Sequence, residues 1–426
     1  MKIYFSKIEN VFFPILAYWY YIISKKRELI MKQIKDNVYS VGCLDYSLDL
    51  FESHFVIPNG MSYNSYVIMD EKIAILDSVD IKVGEEWIKN IKEVLKDKKP
   101  DYLIVQHMEP DHSANVFEFL KVYPDTIVVG RDLTFNMLKN YFKDKDVINK
   151  KEIKDGDELC LGEHTLKFIF APMIHWPEVF MSYEKKSKIL FSADAFGKFG
   201  GTDLNNDWEE EARRYYFGIV GKYGFQVQQL LKKASQLSID TICPLHGPII
   251  DKNISKYISL YDVWSKYESE SNGVFIAYTS VYGHTKEAVE LLKNELINKG
   301  KEVKMLDLAR CDIYEAVSLA FKYKNIVLAT TTYNMSIFPP MHEYIHNLIE
   351  RNFQNKNIVI IQNGSWAMTA AKVIKDLLAN QKNLNYIEPM VSILSSLSEE
   401  NKNQIKEIAN KLSSLWKVWL FVTDMV

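Results

Sequence analysis

From Met31 onward the chain is written in short runs of β-branched and aromatic residues broken by polar ones. Asn37 to Val41, Ser65 to Met69 and Ile73 to Asp77 therefore predict strands. A helical stretch is expected over Gly84 to Leu95, and then four apolar runs, Tyr102 to Val105, Thr165 to Ala171, Lys188 to Ser192 and Ile239 to Ile242, each lead into His or Asp. After the charged, Ser-rich joint Lys266 to Asn272 the rhythm changes. Val274 to Tyr278, Val303 to Leu306, Ile326 to Ala329 and Ile358 to Ile361 are continuous apolar strands separated by amphipathic helices such as Lys286 to Asn298. That is the pattern of a doubly wound parallel sheet, covered on both faces.

The pattern divides an α/β chain of 426 residues into an extension over 1–30, a β-rich domain over 31–270, a doubly wound domain over 273–410 and a tail over 411–426. Within the extension, the apolar run Val11 to Ile23 is shorter than the roughly 20 residues that cross a bilayer, and it contains Pro14. No membrane span is expected from it.

Composition narrows the function. With 47% hydrophobic and 25% charged residues the chain reads as globular, and 52 Lys and Arg against 55 Asp and Glu leave no basic field for nucleic acid. Cys43, Cys160, Cys243 and Cys311 are scattered without a Cys-x-x-Cys pair. This argues against a disulfide framework, a zinc ribbon or an iron-sulfur module, and for a reducing, cytoplasmic setting.

The densest chemistry is His107-Met108-Glu109-Pro110-Asp111-His112, directly after a strand and before a helix expected near Ser113. Pro110 resists regular helix, so the loop is expected to send residues 107 and 109 to one side and residues 111 and 112 to another. His175, Asp194 and His246 follow later strands. Imidazole and carboxylate without thiolate suit a hard, redox-active ion such as iron. His107, Glu109 and His175 would serve one metal, Asp111, His112 and His246 a second, and Asp194 would bridge them.

A second constellation lies past the joint. Thr279-Ser280-Val281-Tyr282-Gly283-His284-Thr285 connects a strand to a helix, presenting hydroxyls and backbone N–H groups where a phosphate is stabilised. It lacks the Gly-Lys-Ser/Thr of a P-loop and the Gly-x-Gly-x-x-Gly of a dinucleotide fold, so the terminal phosphate of FMN fits it better. Two further strand ends, carrying Thr332-Tyr333-Asn334 and Asn363-Gly364-Ser365-Trp366, offer the polar and aromatic mixture an isoalloxazine ring needs.

The first constellation resembles the metallo-β-lactamase superfamily, whose hydrolases carry His-x-His-x-Asp-His in this loop, with Glu109 here in place of the second His. With His175, Asp194 and His246 it is similar to the flavodiiron proteins. The second constellation resembles flavodoxin, although Thr331 stands where flavodiiron proteins have a proline. Phe51-Glu52-Ser53-His54 likewise stands where many relatives carry Phe-His-Gly-Tyr. The resemblance implies an αββα metallo-β-lactamase-like sandwich followed by a flavodoxin-like domain, binding two iron ions and FMN. It implies reduction of dioxygen to water, or of nitric oxide to nitrous oxide, with electrons from an outside rubredoxin or similar donor. It also implies a head-to-tail homodimer or a dimer of dimers. A dinuclear zinc hydrolase is the alternative, against which Glu109 argues. A bare electron carrier is a further one, against which the complete ligand set argues.

Overall fold

The computed structural model describes residues 32–202 and 208–423. The extension 1–30, with its apolar run, and residues 424–426 of the tail lie outside them. Among the described residues no helix is long and apolar enough to cross a membrane. The chain divides into two compact units, one comprising residues up to Ala212 together with Lys232–Tyr257, the other Arg213–Leu231 together with Ile258 onward.

The first unit is built on two sheets. One has the order Gln33–Lys35, Val38–Ser40, Tyr66–Ile68, Ala74–Leu76, Tyr102–Ile104, Ile127–Gly130 and Lys150–Glu152. It is antiparallel at its start and parallel from Ala74–Leu76 onward. The other runs Glu158–Cys160, Thr165–Phe170, Phe180–Glu184, Ile189–Phe191 and Thr241–Cys243. Alternate residues of the two sheets meet in one buried cluster: Tyr66, Ile68, Tyr102 and Ile104 from the first, Leu166, Phe168, Phe180 and Phe191 from the second. Val67, Ile75 and Leu103 fall between those positions and point to the other face, yet they are fully buried too. A half-solvated sheet would leave such residues exposed, so the sandwich is covered outside as well. The helix Gly84–Leu95 has the bounds read from its pattern, and buries Trp87, Ile91 and Leu95 at the four-residue helical repeat.

Pro110 departs from expectation. It does not resist helix but opens one, Pro110–Ser113, at the first helical position, where its missing N–H would have no partner anyway. The helix expected near Ser113 is a separate segment, Val116–Val122. The strand expected at Ile239 begins at Thr241.

The second unit holds a parallel sheet in the order Val303–Asp307, Ser271–Tyr278, Tyr323–Tyr333 and Lys356–Gly364, the last flanked by both Leu384–Tyr386 and Val391–Leu394. This order places the second strand outside the first and the third on its other side, the doubly wound arrangement whose ligands bind at the carboxyl ends of the strands. Val274, Ile276, Val327, Val359 and Ile361 pack with Val289, Leu292 and Leu296 of the helix His284–Asn298. Ile405, Ile408 and Leu412 of the helix Glu399–Thr423 complete that cluster, so this helix carries the core past position 411 into the residues set apart as a tail.

Candidate functional site

All seven candidate ligands come together at the ends of the strands of the first unit, in two groups. In one, His107 Nε2 lies 3.3 Å from Glu109 Oε2, 3.3 Å from His175 Nε2 and 3.3 Å from Asp194 Oδ2. His175 Nε2 closes the group at 2.9 Å from Glu109 Oε2 and 3.1 Å from Asp194 Oδ2. In the other, His112 Nε2 and His246 Nε2 are 3.0 Å apart, each close to Asp111 Oδ2 at 3.3 and 3.2 Å. Asp194 Oδ1 faces this second group, 3.2 Å from His112 Nε2. One carboxylate thus turns one oxygen to each group.

The turn of helix begun by Pro110 separates Glu109 from Asp111 and His112 and so divides the motif. Further side chains hold the ligands from behind. The buried Glu178 carboxylate accepts from His107 Nδ1 at 2.9 Å and from the Met108 N–H at 2.8 Å. His246 Nδ1 meets the Ser62 carbonyl at 2.7 Å, and the Gly247 N–H donates to Ser62 Oγ at 2.6 Å. These bonds make Nδ1 the donor in His107 and His246, which leaves Nε2 facing the site, free to carry a proton or a metal. Asp77 accepts from the backbone N–H of Gln106 and of His107, fixing the start of the loop. Phe51 and Tyr63 stand edge-on to the His246 ring, and Trp176 to that of His107. Phe196 and Phe199, adjoining Asp194, are buried as packing residues, Phe199 against Phe51 and Phe55.

Glu178, Ser62 and Asp77 escaped the reading of the sequence as site residues. Glu178 sits three residues beyond His175 in His175-Trp176-Pro177-Glu178, a spacing that could have raised the question. Ser62 and Asp77 carry no comparable signal.

The electrostatics of the cluster suit a cation. Burial disfavours charge on His107, but Asp194, Glu109 and Glu178 overcome it and hold the imidazole well above its ordinary range. His175 is opposed by burial in the same way, yet Asp194 and Glu109 raise it to about 9. Burial works to raise Asp194 and Glu109, while the histidines facing them hold both well below the carboxylate range. Both Asp111 oxygens and Asp194 Oδ1 are buried without a hydrogen-bond donor. In the free chain protons on the imidazoles offset the inward carboxylates, and a metal pair would replace those protons and give the Asp111 and Asp194 oxygens their partners. The donor set of imidazole and carboxylate, without thiolate, fits iron.

In the second unit, a cavity of about 450 Å³ lies at the carboxyl ends of the strands. Its walls include Ser280, Val281, Tyr282, His284 and Thr285 from the first expected loop, Thr332 and Tyr333 from the second, and Asn363, Gly364, Ser365 and Trp366 from the third. Thr331 and Ser395 line it too. Ser395 closes the short strand Val391–Leu394, which had not been read as a strand, and its hydroxyl pairs with Ser365 Oγ at 3.0 Å. Thr279, Gly283 and Asn334 are not on the wall. Thr279 is buried beneath it, bonded to Thr330 at 2.7 Å, and Gly283 takes a left-handed φ of 96° to start the helix. Asn334 lies in the turn beyond Tyr333.

The cavity fits a flavin phosphate and ring. Ser280 Oγ accepts from the N–H groups of Gly283 and Lys286, the place an anion oxygen takes at a helix N-terminus. Thr285 Oγ1 and Thr331 Oγ1 are buried on the wall without a hydrogen-bond partner. Tyr282 and Trp366, 90% and 79% exposed, leave large aromatic surfaces at the rim.

Comparison with known proteins bears on the family and the fold. The family model described as ODP family beta lactamase matches residues 61–247, which hold all seven candidate ligands. A nitric oxide reductase of Moorella thermoacetica is 28% identical over 89% of this chain and 98% of its own length. The flavodiiron protein of Giardia intestinalis has a similar structure, with a TM-score of 0.83 at 25% identity over 90% of this chain and 96% of that one. The rubredoxin oxygen:oxidoreductase of Desulfovibrio gigas shares the fold at a TM-score of 0.84 and 24% identity, covering 92% of this chain and 99% of that one. Diflavin flavoproteins of Nostoc and Synechocystis match as well, and of their length this chain spans about half.

Proposed function

The chain belongs to the flavodiiron proteins and is an oxidoreductase, and on that premise we propose that it reduces dioxygen to water, nitric oxide to nitrous oxide, or both. One observation carries the reading: Asp194 presents Oδ2 to His107 and His175 and Oδ1 to His112, as a carboxylate shared by two metals must. His107, Glu109 and His175 would hold one iron, Asp111, His112 and His246 the other. When bound, the iron pair supplies the binding place and last electron source for a diatomic substrate, and FMN the store that collects electrons from a separate donor.

The chain's own residues do the rest. Glu178 and Ser62 orient His107 and His246 with Nε2 inward, so that little reorganisation accompanies metal binding. Phe51, Tyr63 and Trp176 surround the imidazoles with apolar surface, keeping bulk water from the cluster. In the other unit, Thr285 and Thr331 offer hydroxyls, Ser280 caps the helix, and Tyr333 and Trp366 offer ring surface to an isoalloxazine. We propose the domains as residues 31–270 and 273–410, the helix Glu399–Thr423 extending the second beyond that bound. A rubredoxin or similar small protein is the proposed donor, and a head-to-tail homodimer or a dimer of dimers the proposed assembly.

Anaerobic stopped-flow of the reduced, iron-loaded protein against each gas tests this. Reoxidation of the flavin within the mixing experiment by dioxygen, nitric oxide or both is expected. Turnover of neither gas would overturn the proposal, and two zinc ions per chain with ester hydrolysis and no bound flavin would replace it with a hydrolase.

A further inference from the structure

The turn that carries His246 is held by a residue just beyond the strand Met61–Tyr63. Asn64 is buried, and its amide nitrogen donates to the carbonyls of Pro244 and Gly247, at 2.8 Å each. Carbonyls only accept, so the NH₂ end of the amide must face them, one hydrogen to each. In the chain these two carbonyls lie on either side of His246. The Asn64 backbone N–H reaches the Leu245 carbonyl between them at 2.8 Å, and the Tyr66 hydroxyl donates to the Pro244 carbonyl at 2.6 Å. The loop of Asp194 braces the same turn. The Leu245 N–H donates to the Ala193 carbonyl at 2.9 Å. Gly247 takes a φ of 80°, and a Cβ there would stand 2.8 Å from Cγ of Lys198, so glycine lets the turn approach that loop closely.

An imidazole binds a metal along the lone pair of one nitrogen, so a ligand histidine must be fixed both in its ring and in the backbone that carries it. Ser62 fixes the ring, through Nδ1. Asn64 fixes the backbone: without its two donors, the carbonyls flanking His246 lose the group that sets their spacing, and Gly247 has the conformational freedom to turn away. The His107 side rests on different groups, Glu178 and Asp77. We propose that Asn64 is a positioning residue for the second metal, a clamp that aims His246 Nε2 at the place shared with Asp111 and His112, and that the two metals can therefore be emptied independently. The inference rests on the paired-metal reading above.

The test uses the full chain, loaded anaerobically with ⁵⁷Fe(II), as wild type, Asn64→Asp, Asn64→Leu and Tyr66→Phe, with His246→Ala as the reference for loss of the second iron. Asn64→Asp keeps the shape but turns two donors into acceptors facing carbonyls, whereas Asn64→Leu removes them at similar volume and serves where the first variant fails to fold. Tyr66→Phe deletes one bond to the same turn without touching Gly247, and so reports what lost stability alone does. Chelator competition should show one iron held about ten-fold or more weakly in the Asp and Leu variants, with the other unchanged. The Mössbauer signal that changes should be the one missing from His246→Ala, and Tyr66→Phe should hold both irons as the wild type does. Wild-type affinity for both irons in the Asn64 variants would overturn the assignment. So would equal weakening of both irons, or the same selective weakening in Tyr66→Phe, since either makes Asn64 a residue of the fold alone. A wild-type chain that takes up fewer than two irons would instead overturn the paired-metal reading, and this inference with it.

Discussion

Glu178 accepts two hydrogen bonds on a single oxygen, from the His107 ring at 2.9 Å and from the backbone of Met108 at 2.8 Å. It thereby ties the orientation of a ligand to the path of the loop that carries the other motif ligands. Burial works to raise the Glu178 carboxyl, yet the facing His107 holds it below its ordinary range, so the group enters the site as an anion. An anion behind an imidazole raises the basicity of the opposite ring nitrogen, the one that would bind metal.

Glu178→Gln keeps an acceptor for both bonds but removes the charge, whereas Glu178→Ala removes both. Competitive iron titration should find the His107-side metal weakened about ten-fold in the Gln variant and up to about 100-fold in the Ala variant, the second metal being spared. Equal affinity at both sites in Glu178→Ala would show that His107 needs no such support.

Asp77 makes a different kind of contribution, to the backbone. Its Oδ1 accepts from the N–H groups of Gln106 and His107 at 2.7 and 3.2 Å, and Oδ2 from Gln106 Nε2 at 2.9 Å. Gln106 is fully buried, and its Oε1 has no partner. Asp77→Asn keeps an acceptor for the two backbone N–H groups and leaves only the Gln106 amide short of one, so it should cost about 1 kcal/mol. Asp77→Ala orphans three buried donors and should cost roughly 3 kcal/mol or more. Urea unfolding of the metal-free proteins separates the two, and equal losses would contradict this account.

The contrast between ligands and their supports explains what could be read in the sequence. His107, His175, Asp194 and His246 each follow an apolar run that must be a buried strand, and strand ends are where side chains can converge. Local pattern therefore located them. Glu178 and Ser62 act only because separate loops approach His107 and His246 in space, and apart from the spacing of Glu178 from His175 nothing in the neighbouring residues marks that approach. Pro110 departs from expectation for a local reason: proline breaks a helix interior but is favoured at the first helical position, which it occupies here. Ser395 carries no signal in the sequence because the strand it follows, Val391–Leu394, spans only four residues and presents no long apolar run. Gly84–Leu95 was legible at both ends because Trp87, Ile91 and Leu95 keep the helical repeat over its whole length.

Thr285 supplies a test of the flavin cavity whose sign differs between the free and bound protein. Its hydroxyl is buried on the cavity wall with no hydrogen-bond partner, on the first turn of the helix His284–Asn298. An unpaired buried hydroxyl destabilises the fold, so the isosteric Thr285→Val should leave the flavin-free protein as stable as before or up to about 1 kcal/mol more stable. The same hydroxyl is placed to donate to an anion at the helix N-terminus, where neighbouring N–H groups already point. Its loss should weaken FMN by about ten-fold, the equivalent of about 1.4 kcal/mol, as a hydrogen bond to a charged group implies. Quenching of flavin fluorescence on titration gives the affinity, and thermal unfolding of the flavin-free chain gives the stability. A variant that lost stability while binding FMN normally would place the hydroxyl in the core and not in the cofactor site. Riboflavin, which lacks the phosphate, should bind both proteins alike, because the hydroxyl's contribution is directed at the phosphate and not at the ring.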